Sequence, residues 1–110
     1  MARKEEFDRS KKGFEKFFAL SEELRFKALS RRNRAVGAWA AEKLALVGDA
    51  ARRYADAFAT PQIEGETDET RIERLHDEFV KAGVDLSAHR IRRKLEAAMN
   101  EAIAEIEAGK

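Results

Sequence analysis

The stretch "LRFKALSRRNRAVGAWAAEKLAL", Leu24 to Leu46, indicates a helical fold because its apolar residues recur at helical spacing around a basic run. Between Glu22 and Val47 these residues stand three, four and seven positions apart, which places them along one side of a helix. The side chains expected on this face are Phe26, Leu29, Val36, Ala40, Leu44 and Val47, with Ala35 and Trp39 widening it. The sequence therefore predicts one long amphipathic helix here.

The same helix contains a lone glycine, Gly37, close to the chain's only tryptophan, Trp39. A small residue at this position would let a neighbouring helix or the indole ring approach closely. We expect Val36, Trp39 and Leu44 to lie inside the protein and the arginines of the basic run to lie outside. The stretch is thus interpreted chiefly as core.

A second helix should follow directly. Gly48 supplies a stop for the first helix and Asp49 a cap for the second, which should end before Pro61. Its inward side chains should be Ala51, Tyr54, Ala55 and Phe58. The acidic stretch "TPQIEGETDE", Thr60 to Glu69, has loop composition and is the expected flexible connection.

Two further helices complete the pattern. Thr67 or Asp68 can cap the third, which Gly83 closes, and Ser87 can cap the last. The inward residues expected are Ile72, Leu75 and Phe79 on the third helix, and Ile91, Leu95, Met99, Ala102, Ile103 and Ile106 on the last. Four amphipathic helices with short links bury their apolar faces most readily as a bundle, so the predicted fold class is all-α, a four-helix bundle.

Composition sets outer limits on the function. A chain of 110 residues suits one domain, and the absence of cysteine excludes disulfides and thiolate metal clusters, which fits the cytoplasm. The start, "MARKEEFDRSKKG", lacks a secretory signal, and no run approaches the roughly 20 apolar residues of a membrane span. Residues 1–47 hold twelve Lys and Arg against seven Asp and Glu, while residues 48–110 hold ten against fourteen. We therefore expect a soluble protein whose basic first half meets any electrostatic partner.

The first 19 residues differ from the rest. Phe7, Phe14 and Phe18 would share a helical face with Phe17 beside them, yet Gly13 makes such a helix less favourable by about 1 kcal/mol. The basic residues around these rings are Arg3, Lys4, Arg9, Lys11, Lys12 and Lys16. So short an isolated helix is marginal in water. We predict a flexible or marginally helical arm over 1–19 that folds on a partner, attached to a body over 20–110; a fifth helix packed on the bundle is the alternative.

No catalytic arrangement is evident. His76 and His89 have no metal-ligand spacing, the glycines are scattered singly and form no phosphate-binding loop, and neighbouring carboxylates point to different parts of a helix. The sequence therefore predicts a protein that is not an enzyme, with no metal and no cofactor.

Two basic runs, "SRRNR" and "HRIRRK", suggest a rival function. The arginines of a phosphate-binding patch would be Arg31, Arg32, Arg34, Arg90, Arg92 and Arg93. The alternative is that the runs form solvated helix faces paired with acidic residues of the region Glu64 to Glu78. Near-zero net charge and the lack of interleaved aromatic residues favour this second interpretation, and hence no nucleic-acid partner.

The segments "FDRSKKGFEKFFALSEELRFKALSRRNRAVGAWAAEKLAL" and "AGVDLSAHRIRRKLEAAMNEAI" together resemble the zeta subunit of alphaproteobacterial F-type ATP synthases. The resemblance covers nearly the whole chain from Phe7 onward, and its most specific part runs from Glu22 to Leu44. It implies a four-helix bundle with a mobile N-terminal arm that inhibits ATP hydrolysis by the F1 head. In that picture the arm becomes helical at a catalytic alpha/beta interface beside the gamma subunit of the rotor, and the bundle serves as the handle.

Carried onto this chain, the resemblance implies an arm from Ala2 to about Ala19. The implied partner-binding residues are Phe7, Arg9, Lys11, Lys12, Phe14, Lys16, Phe17 and Phe18. It also implies a cytoplasmic protein that is monomeric when free and does not insert into the membrane. Weak binding of ADP or ATP to the body is a further implication, although no glycine or lysine spacing locates a site, and a nucleotide sensor is a third hypothesis. The stretches "RSKKG" and "ALS" depart from the family's more acidic pattern, so a weak inhibitor or an assembly and regulatory subunit are alternatives.

Overall fold

The computed structural model describes residues 13–60 and 65–110, and within them the chain forms five helices and no strand. Helix α1 occupies residues 13–19 of the described part. The four longer helices are α2 (Glu22–Lys43), α3 (Gly48–Ala59), α4 (Asp68–Lys81) and α5 (Ala88–Glu107). The all-α prediction is confirmed, but the count of four is corrected to five. The extra helix forms because its apolar side chains find a surface on α2 and α5.

The helix ends follow the predicted capping chemistry with two exceptions. Thr67 and Ser87 accept hydrogen bonds from the backbone N–H groups of the first turns of α4 and α5, as predicted. Helix α2 ends at Lys43, before the predicted Val47, because Ala45 takes a left-handed conformation with φ of 60°. The cap of α3 is Val47, without a side-chain hydrogen bond, so the predicted capping role of Asp49 is wrong.

The main core lies where α2, α3, α4 and α5 meet. Helix α2 packs against α3 and α5, and α4 packs against α5. The buried residues of this core are Val36, Ala40, Phe58, Ile72, Leu75, Phe79, Ile91, Leu95 and Ala98. Gly37 explains the close approach of α2 to α3, because a Cβ atom added there would lie 2.9 Å from both Cα and O of Ala55. The expected packing role of this glycine is thus confirmed.

The buried face of α2 differs from the predicted one. Phe26 is 76% exposed and Val47 80% exposed, although both were expected on the apolar face, and Ala35 is exposed as well. The residues of α2 that are buried are Ala28, Arg32, Asn33, Val36, Gly37, Ala40 and Ala41. Because α2 contacts helices on two sides, its buried face follows the small residues rather than the largest apolar ones.

Trp39 and Leu44 are partly buried and pack against the core, while Val36 is fully buried. The Trp39 ring meets the Phe79 ring edge to face, with centroids 5.8 Å apart, and the Lys94 ammonium lies 5.8 Å from the centroid of the indole. The prediction that Trp39 lies inside therefore holds only in part, because the residue packs on the core but is partly buried.

One arginine of the basic run is buried, which corrects the prediction that all of them lie outside. Arg32 is 6% exposed and donates two hydrogen bonds to Asp68, at 2.9 and 2.7 Å, and one to Asn33, at 2.9 Å. Buried Arg71 likewise donates to the carbonyl oxygen of Phe58 at 2.9 Å. Buried charges need such partners because an unpaired one is strongly destabilising. These contacts tie α4 to α2 and to the end of α3.

Candidate functional site

Helix α1 has one face on the bundle and one face in solvent. Gly13 is buried, and Phe17 and Leu20 are partly buried against the cluster formed by Ala28, Ala102 and Ile103, which Met99 and Ile106 extend. Phe14 and Phe18, on a neighbouring side of the helix, are 65% and 54% exposed. The helical period explains the division, since positions 13, 17 and 20 fall on one side and 14 and 18 on another.

Phe14 and Phe18 form an exposed aromatic contact, called here the ring pair. Their centroids are 4.5 Å apart with the planes tilted by 48°, and the Phe17 ring stands edge to face with Phe18 at 5.2 Å. The guanidinium of Arg25, from α2, lies 5.8 Å from the Phe18 centroid. Adjacent exposed aromatic rings of this kind are typical of partner-binding surfaces, where rings supply much of the contact energy.

Lys16 is the predicted partner-binding cation within the described residues. Its ammonium lies 3.9 Å from a carboxylate oxygen of Glu107, and both side chains are about half exposed or more. An exposed pair at this distance contributes little, so Lys16 remains available to another carboxylate. The other predicted contact residues, Phe7, Arg9, Lys11 and Lys12, lie outside the described residues.

A groove of about 300 Å³ opens beside Phe14. Its apolar floor includes Ile72, Leu95 and Met99, and its polar wall includes Arg32 and Arg92. Both guanidinium groups are already bound to carboxylates: Arg32 to Asp68 and Arg92 to Glu69, the latter at 2.7 Å in one hydrogen bond. The bond from Arg92 lowers the pKa of the Glu69 carboxyl. The groove therefore presents paired charges, which bind phosphate less well than free ones would.

The two basic runs form ion-pairing faces of α2 and α5. Arg31 contacts Glu105 at 3.0 Å and Arg34 lies 3.9 Å from Asp56, in addition to the pairs of Arg32 and Arg92. This arrangement corresponds to the interpretation that the runs pair with acidic residues, although Glu105 and Asp56 lie outside the expected region Glu64 to Glu78. A nucleic-acid backbone would have to displace these intramolecular carboxylates.

The described part of the chain holds no group of three His, Asp or Glu side chains placed to bind a metal ion. His76 is half-buried on α4 and His89 is exposed at the start of α5. Within residues 13–60 and 65–110, no helix has the length and apolarity needed to cross a membrane.

The residues that hold α1 in place were missed by sequence reasoning. A Cβ added at Gly13 would lie 2.4 Å from Oδ1 of Asn100, so this glycine permits contact between α1 and α5. Gly13 makes a helix less favourable, but a glycine within a helical pattern also permits close approach of a neighbouring element, and that is its role here. The roles of Asn100, Arg25 and Glu107 had no local signal, because each depends on a helix distant in sequence.

The family model described as ATPase inhibitor subunit zeta matches residues 4–105 of the chain. No curated protein matches it.

Proposed function

The chain belongs to the ATPase inhibitor subunit zeta family, and from that premise we propose that it inhibits ATP hydrolysis by the F1 head of ATP synthase. Membership of a family of inhibitor subunits supports a regulatory role and not a catalytic one. The observation that carries the proposal in the structure is the ring pair, because two adjacent phenylalanines on a short helix are largely exposed to water.

In the proposed mechanism the arm inserts at a catalytic alpha/beta interface beside the gamma subunit and blocks rotation in the direction of hydrolysis. Burial of each ring in a protein cleft would contribute about 1.5 to 3 kcal/mol, while fixing the backbone of each arm residue costs about 1 to 2 kcal/mol. Residues 13–19 are already helical in the free protein. That order reduces the loss of entropy when the ring pair binds while α1 is still on the bundle.

Charge complements this apolar contact. The proposed contact residues include the cations Arg9, Lys11, Lys12 and Lys16, so an acidic cleft would attract the arm and raise the association rate. Added salt should slow association because it screens exposed charges beyond about 10 Å at 0.1 M.

The same proposal assigns the remaining roles. The body formed by α2–α5 acts as the handle of a cytoplasmic protein that is monomeric when free and binds neither nucleic acid nor membrane. Weak binding of ADP or ATP by the body stays a prediction from the family resemblance.

The test is inhibition of ATP hydrolysis by the F1 head purified from the native host, measured as an IC50. The double variant Phe14→Ser/Phe18→Ser should raise the IC50 about tenfold or more, since one lost ring contact of about 1.5 kcal/mol already changes affinity about tenfold. Phe26→Ser is the matched control, because Phe26 is even more exposed than Phe14 and Phe18 but lies on α2. It should inhibit like the wild type.

Deletion of residues 1–18 extends the test to the whole arm. Undiminished inhibition by the truncated protein would contradict an inhibitory role for the arm. Equal loss of inhibition in the Phe26→Ser control would show instead that the body makes the contact.

A further inference from the structure

We propose that α1 has two competing binding sites: its docking surface on its own bundle, and the F1 head. The α1 docking surface consists of Ala28, Met99, Ala102, Ile103 and Ile106 on α2 and α5. Docking there would hold the free protein in a self-inhibited state that must open before the arm can act. This inference rests on the proposed function.

The docked state is defined by contacts along one side of α1. Phe17 and Leu20 pack on the docking surface, the Gly13 backbone lies against the Asn100 side chain, and Lys16 lies 3.9 Å from Glu107. These contacts hold α1 against the bundle from its first described residue, Gly13, to Leu20 just after its end. The contacts fix which face of the helix is available to other molecules.

Competition follows from the residues shared by the two sites. Phe17 and Lys16 are both proposed to contact the F1 head, yet in the free protein they face α5. A side chain buried against the bundle cannot be buried at the same time against a partner. Docking leaves the ring pair and the Lys16 ammonium accessible but covers part of Phe17, so full engagement of the arm requires α1 to leave the bundle.

The connection between α1 and α2 permits that release. Residues 20 and 21 lie between the helices, with Ser21 in an extended conformation at φ −62° and ψ 161°. Changes at these two residues would swing α1 away without disturbing α2, whose first turn is capped by the Ser21 hydroxyl at 3.2 Å from the Leu24 nitrogen. A few residues at the end of an element commonly absorb such hinge motions.

Docking of α1 on the bundle lowers the apparent affinity of the protein for the F1 head. When only the released form binds a partner fully, the apparent dissociation constant equals the intrinsic one divided by the released fraction. Contacts that strengthen docking should weaken inhibition, and contacts that weaken docking should strengthen it.

A reversible covalent lock tests this directly. The chain has no cysteine, so the variant Gly13→Cys/Asn100→Cys would contain the only two thiols. A Cβ added at Gly13 would lie 3.5 Å from Cγ of Asn100, the atom whose place the sulfur takes in Asn100→Cys, so the two thiols would be close together in the docked state. We expect the oxidised double variant to raise the IC50 toward the F1 head by at least about tenfold, and reduction by dithiothreitol to restore it. The two single-cysteine variants, treated identically, should show no such redox dependence.

A second variant shifts the equilibrium the other way. Ile106→Ala removes part of the docking surface without changing the arm, and we expect it to lower the IC50 severalfold. The thermal unfolding of α2–α5 checks that the body remains folded.

The outcomes separate the two proposals. Failure of the disulfide to form under oxidation, or equal inhibition by the fully cross-linked and reduced forms, would overturn the docked, self-inhibited state while leaving inhibition itself intact. Absence of inhibition by the wild type and by every reduced variant would overturn the proposed function and the competition with it. The yield of cross-linked protein reports on docking independently of any ATPase.

Discussion

The attachment of α1 to the bundle differs in kind from the attachment of α3 and α4, although each depends on aromatic, glycine and ionic contacts. Phe79 on α4 is fully buried, whereas Phe14 on α1 is 65% exposed. The glycine that admits α3 faces the backbone of Ala55, whereas the glycine on α1 faces the tip of the Asn100 side chain. Backbone cannot move aside but a side-chain tip can. The body is therefore held by fixed contacts and α1 by replaceable ones.

The ion pairs show the same contrast. Arg32 is buried and binds Asp68 through two hydrogen bonds, while Lys16 and Glu107 are exposed and 3.9 Å apart. Exposed pairs typically contribute less than 1 kcal/mol, and bidentate arginine pairs contribute more. A helix held by weak, exposed contacts can detach from the bundle while the bundle stays folded.

The largest expected effect comes from one substitution made in both regions. Phe79→Ala should reduce the free energy of unfolding by about 3 to 5 kcal/mol, because it leaves a cavity beside Trp39 in the core. Phe14→Ala should change it by no more than about 0.5 kcal/mol. Urea denaturation followed by circular dichroism measures both. Similar losses in the two variants would show that α1 belongs to the same cooperative unit as the body.

A smaller effect distinguishes the two glycines. Gly37→Ala should destabilise the protein by about 1 to 2 kcal/mol, because overpacking against Ala55 outweighs the gain in helix propensity of about 1 kcal/mol. Gly13→Ala should not destabilise the protein, since Asn100 can rotate away and alanine favours the helix by up to about 1 kcal/mol. Ala35→Gly, at an exposed position of α2, measures the propensity term alone. A stable Gly37→Ala variant would contradict the close approach of α3.

The smallest effect concerns charge. Asp68→Asn should be destabilising by about 1 kcal/mol, because it removes the anionic partner of Arg32 and an acidic residue from the first turn of α4. The magnitude is limited because the Asp68 side chain is half exposed. Glu107→Gln should have no measurable effect on unfolding. Thermal unfolding at low and high salt measures the stability of both variants. Equal destabilisation by Asp68→Asn and Glu107→Gln would show that the ion pairs of the body and of α1 do not differ in strength.

Much of the fold followed from local sequence. Period, caps and breakers predicted the four bundle helices, and Thr67 and Ser87 cap them as expected, because such signals act within a few residues. Which side of α2 is buried could not be predicted from local signals. Phe26 is exposed and Arg32 buried because α2 has two neighbours, and its orientation depends on where they pack.

The candidate site was only partly predictable for the same reason. The spacing of Phe14, Phe17 and Phe18 predicted a shared aromatic surface, and the structure brings these rings together. The turning of Phe17 toward the bundle depends on Ile103 and Ala102, more than eighty residues away in sequence. Periodicity within a short helix cannot report which of its sides a distant element will cover.

The short connection at residues 20 and 21 sets a length scale for any engagement with a partner. An intact helix over residues 13–19 extends about 10 Å at 1.5 Å per residue, and the two connecting residues add at most about 7 Å, so the backbone at the start of α1 can reach only about 17 Å from the start of α2. Any cavity that receives Phe14 must therefore have the body standing at its mouth. Contact between the bundle and the partner surface would limit how deeply α1 can enter the cavity.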